Sequence, residues 1–188
     1  DYSHNGLLAT MRYLHQYGIR FAGIGENLAD ASAPVYMDCE NGRVALIAAT
    51  SSFHEARRAG NQRGDMQGRP GVNPLRFQTK LHVTAEELTA LRKIAEETQI
   101  DAQQLLDIKE GFAVETPGAF RFGGHEFVES EAPGKETIPH PADLKRITAS
   151  IQEAKSQADC VMVSIHSHER AAKGCAGRIS RDLRSRLH

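Results

Sequence analysis

The sequence predicts an α/β fold, and three observations carry the prediction. A helical stripe over residues 5–17 stops at Gly18 and runs into a short apolar segment. An Asn-Gly pair joins two apolar runs, the second of them apolar without interruption from Val44 to Ala49. An amphipathic stretch over 142–158 is followed at once by Cys160-Val161-Met162-Val163-Ser164-Ile165. Helix and strand periods that alternate in this way are the mark of α/β architecture.

Each element follows in order. Leu7, Leu8, Met11, Leu14 and His15 fall on one face of the first helix. Ile19–Gly23 reads as a short strand leading into Gly23-Ile24-Gly25. The runs 35–39 and 43–49, joined by Glu40-Asn41-Gly42, read as a hairpin whose turn residues need positive φ. The unbroken apolar run suits a strand buried on both faces. Residues 51–80 carry Gly60, Gly64, Gly68, Pro70, Gly71 and Pro74 among five arginines, with no helix or strand period. A long loop of this kind in a folded domain is usually functional or disordered. Thr84-Ala85-Glu86-Glu87 is a capping box for a helix to about Thr98, with Leu88, Leu91, Ile94 and Ala95 on its apolar face. A further helical piece covers 101–110. Residues 119–129 read as a strand pair or bent strand around Gly123-Gly124, and 133–141 as loop. Leu144, Ile147, Thr148, Ile151 and Ala154 share one face of the helix over 142–158.

Composition bounds the function classes. The chain has 188 residues, a formal net charge of -1, 40% apolar and 25% charged residues. These values exclude a disordered chain, a collagen and a disulfide scaffold, and predict one domain with a real core. The balanced charge argues against a general binder of nucleic acid or membrane surfaces. Cys39, Cys160 and Cys175 lie far apart, without zinc-ribbon or disulfide spacing. No apolar stretch is long enough to span a bilayer, and no signal peptide is present.

Two segments carry chemistry. VMVSIHSHE (161–169) sets two histidines and a glutamate at the C-terminal end of a strand, where α/β folds place their sites. In extended backbone His166 and His168 point the same way, and neutral imidazole is a common metal ligand. Two histidines do not complete a metal site, so further ligands are required. GRPGVNPLR (68–76) holds a specific loop shape with two prolines and two glycines, and presents two arginine forks suited to carboxylate or phosphate. Both segments also admit a plain structural reading, as polar residues after a core strand and as a solvated surface loop. Among the scattered histidines, His54 is the one placed near a strand end. Gly23-Ile24-Gly25 lacks the third glycine of a dinucleotide fingerprint, and the chain has no P-loop, nucleophile elbow or HExxH.

In order, DYSHNGLLATMRYLHQYGIRFAGIGENLADASAP (1–34), NGRVALIAATSSF (41–53), GRPGVNPLR (68–76) and the segment ending VMVSIHSHE (161–169) resemble the CapA-like family of poly-gamma-glutamate capsule biosynthesis proteins. That family is similar to a branch of the calcineurin-like metallophosphatase superfamily. The resemblance implies a two-sheet sandwich flanked by helices, with divalent metal ions (Mn, Zn, Fe or Mg) at the strand ends. His166 matches a metal ligand in the family's strand-end S-x-H motif. His168 and Glu169 match its neighbours and are the candidate catalytic residues. Arg69, Asn73 and Arg76 are the candidate substrate contacts. Asp1 and Tyr2 match residues that follow the family's Asn-His motif. The implied partners are an anionic polymer or phosphate-containing substrate and other capsule-synthesis membrane proteins, with no nucleic acid. The implied setting is membrane-anchored and outward-facing.

The departures are as informative. The superfamily's Asp-x-His, Gly-Asp and Asn-His motifs are expected before Asp1, and its Gly-His-x-His motif after residue 169; this chain carries none of them. Residues 1–173 therefore read as a partial domain, and the chain alone is expected to be inactive. Residues 174–188 form a basic tail without an apolar face. Codons exist for GCAGRISRDLRSRLH that, read one nucleotide later, encode the amphipathic AAPEGFLATFARACI, so a frameshift near residue 173 is one expectation. Two functions remain open: a metal-dependent enzyme acting at phosphate or on a glutamate polymer, and a non-catalytic polyanion-binding or export component.

Overall fold

A computed structural model of the chain describes residues 3–168, which fall into two units, residues 3–76 with 139–168 and residues 77–138. In chain order the elements are α1 (Ser3–Gln16), β1 (Ile24–Gly25), α2 (Leu28–Ser32), β2 (Val35–Cys39), β3 (Gly42–Thr50), a 3-10 turn (Glu55–Arg57), β4 (Gly71–Val72), β5 (Phe77–Val83), α3 (Ala85–Thr98), α4 (Ala102–Lys109), β6 (Phe120–Phe122), β7 (His125–Glu129), β8 (Gly134–Pro139), α5 (Pro141–Gln157) and β9 (Cys160–His166). The chain is α/β, with three sheets among its described residues.

The first unit is built on the sheet β2-β3-β9. The hairpin β2–β3 is antiparallel, with Cys39 opposite Gly42, so its loop is Glu40-Asn41. Gly42 alone near this turn has positive φ, at +136°. The expectation that Asn41 and Gly42 are both turn residues with positive φ is thus corrected: Gly42 is the first strand residue. β9 runs parallel to β3, from Val44 opposite Cys160 to Thr50 opposite His166. Parallel neighbours need a long crossover, and α5 is its last part.

α5 supplies the core. Pro141 opens it at the first helical position, where a missing N–H costs nothing. Leu144, Ile147, Ile151 and Ala154 pack with Ala45, Ile47, Ala49 and Leu75, and Val161, Val163 and Ile165 of β9 lie against them. Each fully buried Ile or Leu here contributes about 2 kcal/mol. Burial along β3 alternates, and the residues between the buried ones, Val44, Leu46 and Ala48, are half-buried. The unbroken apolar run therefore marks a central strand covered fully on one face, not on both.

α1 ends as its sequence predicts. Gly18 adopts φ +65°, and its N–H bonds to His15 O at 3.1 Å while Ile19 N–H bonds to Leu14 O at 2.8 Å. This pair of bonds is a Schellman cap, whose left-handed residue is most often glycine. No strand forms at Ile19–Gly23; the strand β1 instead occupies Ile24–Gly25, in the stretch read as the following turn, and pairs with β4. Gly25 sits opposite Gly71 there. A Cβ on Gly71 would strike the backbone of Arg57, Arg58 and Ala59, so the close approach requires glycine. That approach explains why 51–80 has no period yet is ordered. Its backbone bonds run across the stretch, Ala59 N–H to Val72 O at 3.0 Å and Gly60 N–H to Arg69 O at 2.9 Å, and out of it, Asn73 N–H to Gly23 O at 2.8 Å and Leu75 N–H to Thr50 O at 2.7 Å. β5 already begins at Phe77, inside the stretch read as loop.

The second unit holds the sheet β6-β7-β5-β8 with α3 and α4. Thr84 and Glu87 form the capping box of α3. β6 and β7 are an antiparallel hairpin across Gly123-Gly124, both at positive φ (+57° and +81°), as a primed two-residue turn demands. β8 falls in residues read as loop. It is an edge strand that carries Lys135 and Glu136 and ends on Pro139, and edge strands are commonly polar and proline-bearing.

Candidate functional site

The C-terminal ends of β3 and β9 lie side by side because the strands are parallel and in register to Thr50 and His166. Beyond them the two chains stay bonded. Ser51 N–H donates to His166 O at 2.9 Å, and His168 N–H donates to Ser52 Oγ at 2.9 Å. These bonds keep 166–168 extended, which sends both imidazoles to one side. Their rings meet edge to face, with centroids 4.6 Å apart and planes at 69°. Both residues are exposed. His54 is not part of this pair: its Nδ1 accepts from Ala56 N–H at 3.2 Å and caps the 3-10 turn. Glu169, Asp1 and Tyr2 lie outside the described residues.

Two imidazoles in contact are donors of the right chemistry for Zn or Fe, and less so for Mg, which prefers oxygen. No group of three or more His, Cys, Asp or Glu side chains able to hold a metal gathers among the described residues. The described residues thus fit part of a metal centre, not a whole one.

The loop 68–76 is engaged with the protein. Arg69 Nε donates to Arg58 O at 2.8 Å and its Nη2 to Glu55 O at 3.4 Å. Asn73 is fully buried. Its Nδ2 donates to Ala48 O at 2.9 Å, and its Oδ1 accepts from Ser32 Oγ at 3.2 Å and from Arg146 Nη2 at 3.1 Å. Arg76 clasps Asp143 with two donors, Nε to Oδ2 at 2.7 Å and Nη2 to Oδ1 at 2.9 Å, and its backbone N–H also reaches Oδ2 at 3.0 Å. Arg146 Nη1 completes the clasp on Oδ1 at 2.7 Å. Any substrate contact by Asn73 or Arg76 is therefore made by a side chain that already holds the fold.

Asp143 and Arg146 escaped the sequence reading. Burial, the largest influence, pushes the Asp143 carboxyl up, but the bonds from Arg76 and Arg146 outweigh it and hold the group at about 2. The same bond to Asp143 raises the Arg76 guanidinium further. A signal existed: Asp143 lies on the stripe 143, 147, 151, 154 that is otherwise apolar. An acid on a core stripe needs a buried partner.

The chain matches the family model described as bacterial capsule synthesis protein PGA_cap over residues 1–178. That match ends inside the basic tail at 174–188, which lies outside the described residues. It is also similar to two uncharacterized proteins of Sinorhizobium fredii (strain NBRC 101917 / NGR234), y4sH and y4uA. Each is 29% identical over 176 residues, covering 90% of this chain and 35% of the relative. The chain thus spans about a third of the length of the curated relatives it matches.

Proposed function

The chain belongs to the bacterial capsule synthesis protein family PGA_cap, and from that premise we propose that it supplies part of a divalent-metal-dependent site acting on a phosphate-containing or anionic polymer substrate in capsule synthesis. The observation that carries the reading is the contact of His166 and His168 at the joined ends of β3 and β9. Strand ends are where α/β folds gather reactive groups. When bound, a metal ion there supplies Lewis acidity and an activated water. In this reading the two imidazoles hold it, the Ser52 hydroxyl fixes the His168 backbone, and further donors come from outside the described residues. The capsule polymer and the membrane proteins of capsule synthesis are the proposed partners.

The non-catalytic reading, a grip on polyanion by Arg69 and Arg76, has less support. Both guanidinium groups already bind within the protein.

A titration of the chain with Zn²⁺ or Mn²⁺, followed by calorimetry, tests the reading. His166→Ala and His168→Ala should each weaken binding by about tenfold or more, as loss of one ligand of a sparse set does. Affinity equal in all three proteins would overturn it. Phosphoester hydrolysis by the chain alone is expected to be no higher than that of the His166→Ala control.

A further inference from the structure

Charge divides unevenly along the sequence. Residues 77–138, the second unit, carry twelve acidic side chains against six of lysine and arginine, whereas the rest of the chain carries twelve against seventeen. Exposed apolar side chains gather in the same unit. Phe112 and Val114, at 81% and 90%, are the most exposed large hydrophobic residues among those described, and Leu105 and Leu106, close by in sequence, are exposed too.

A bonded turn displays them. Phe112 N–H and Ala113 N–H both donate to Asp107 O, at 2.8 and 3.1 Å, and Gly111 makes the bend at φ +82°. These bonds hold the backbone of 112–113 at the last turn of α4, which begins with Leu106. Acids bracket the turn. Glu110 and Glu115 are exposed, and neither forms an ion pair among the described residues. Over residues 100–119 Lys109 is the single base against four acids.

Apolar side chains left in water and rimmed by charge mark a surface that another molecule covers. The sign of the rim selects the occupant. It repels an anionic lipid surface, and a second copy would set acid against acid, which costs affinity. A segment with lysine and arginine around apolar side chains complements both features. We propose that residues 105–115 dock a basic amphipathic segment of a partner protein, whose apolar side chains cover Phe112 and Val114 and whose cations meet Glu110 and Glu115. The proposal uses none of the residues of the metal reading, so either can fail without the other.

The test is a titration of the chain with a short synthetic peptide of leucine and lysine in helical period, followed by amide chemical shifts. In the wild-type protein the shifts should concentrate at residues 105–115. Phe112→Ser removes an aromatic anchor from a solvent-facing position and should lower affinity by about tenfold. The double variant Glu110→Gln, Glu115→Gln should lower it by about threefold at low salt, and added salt should shrink that difference. Tyr17→Ser, at an exposed aromatic of the first unit, should leave affinity unchanged. The same peptide with glutamate in place of lysine should not bind. Shifts that are absent or lie outside 105–115, equal affinity in Phe112→Ser and the wild type, or equal binding of the glutamate peptide would each overturn the proposal. So would tighter binding to vesicles of phosphatidylserine and phosphatidylcholine, which assigns the surface to lipid. Self-association that Phe112→Ser abolishes in sedimentation would assign it to a second copy, and would overturn the proposal as well.

Discussion

At the residue scale, Asp143 decides most about the first unit. Its carboxylate is fully buried and ties α5 to the loop 68–76 at two points: directly at Arg76, and through Arg146 at the buried Asn73. A buried charge with good geometry does not by itself add much stability, but removing one partner is costly. Asp143→Asn should cost about 3–5 kcal/mol, because two arginines lose their counter-charge. The carboxyl is held at about 2, below its ordinary 3.8. A lowered folded value gives stability that is complete above the unfolded value and is lost as pH falls through the folded one. The Asp143 contribution, about 2 kcal/mol, should thus be intact at neutral pH and decline between pH about 4 and about 2. Urea unfolding at pH about 6 and about 3 checks both statements. The wild type should lose stability over that interval, and Asp143→Asn should lose less. An equal loss in both proteins would assign the acid sensitivity to other carboxylates.

At the element scale, local chemistry was legible and long-range chemistry was not. The α1 stop at Gly18, the α3 capping box, the Gly123-Gly124 turn and the α5 stripe all depend on residues within a few positions of each other, so the sequence shows them directly. β4 and β8 were hidden for the opposite reason. β4 exists because Gly71 can approach the backbone of residues 57–59 and pair with β1, and no window of sequence contains both partners. β8 takes its place from β5 and carries edge-strand polarity. The candidate site divides in the same way. His166 and His168 were readable from period-two spacing at a strand end, whereas Asp143 and Arg146 needed the fold to bring them to Arg76 and Asn73. The caps can be weighed separately. Thr84 Oγ1 accepts from Glu87 N–H at 3.3 Å and the Glu87 carboxylate accepts from Thr84 N–H at 2.8 Å. Thr84→Ala removes the first bond and should cost about 1 kcal/mol. Thr84→Ser, which keeps the hydroxyl, should restore most of it. Thermal unfolding of the two variants distinguishes loss of the cap from loss of the methyl group.

At the scale of the whole molecule, apolar burial is unevenly shared. The first unit holds Ala45, Ile47, Leu75, Ile147, Ile151 and Ala154 at 2% exposure or less. In the second unit, Leu88 is the buried hydrophobic residue, while Leu105, Phe112 and Val114 stand 66%, 81% and 90% exposed. Since apolar burial is the main force opposing local opening, protection should follow the same division. Amide hydrogen exchange under native conditions should be slowest in β3, β9 and α5, where backbone bonds lie over that core. It should be fastest in α4 and in 110–119, where the side chains add little to hold the backbone closed. Ile147→Ala provides the control. It removes a side chain with no exposed surface from the centre of the first unit, and such losses cost about 2–5 kcal/mol. If exchange in β3 and α5 tracks the core, their slow amides should speed up by at least about tenfold in this variant, since about 1.4 kcal/mol of opening free energy is a factor of ten. Uniform rates across both units in the wild type would show that burial is not what sets local stability here.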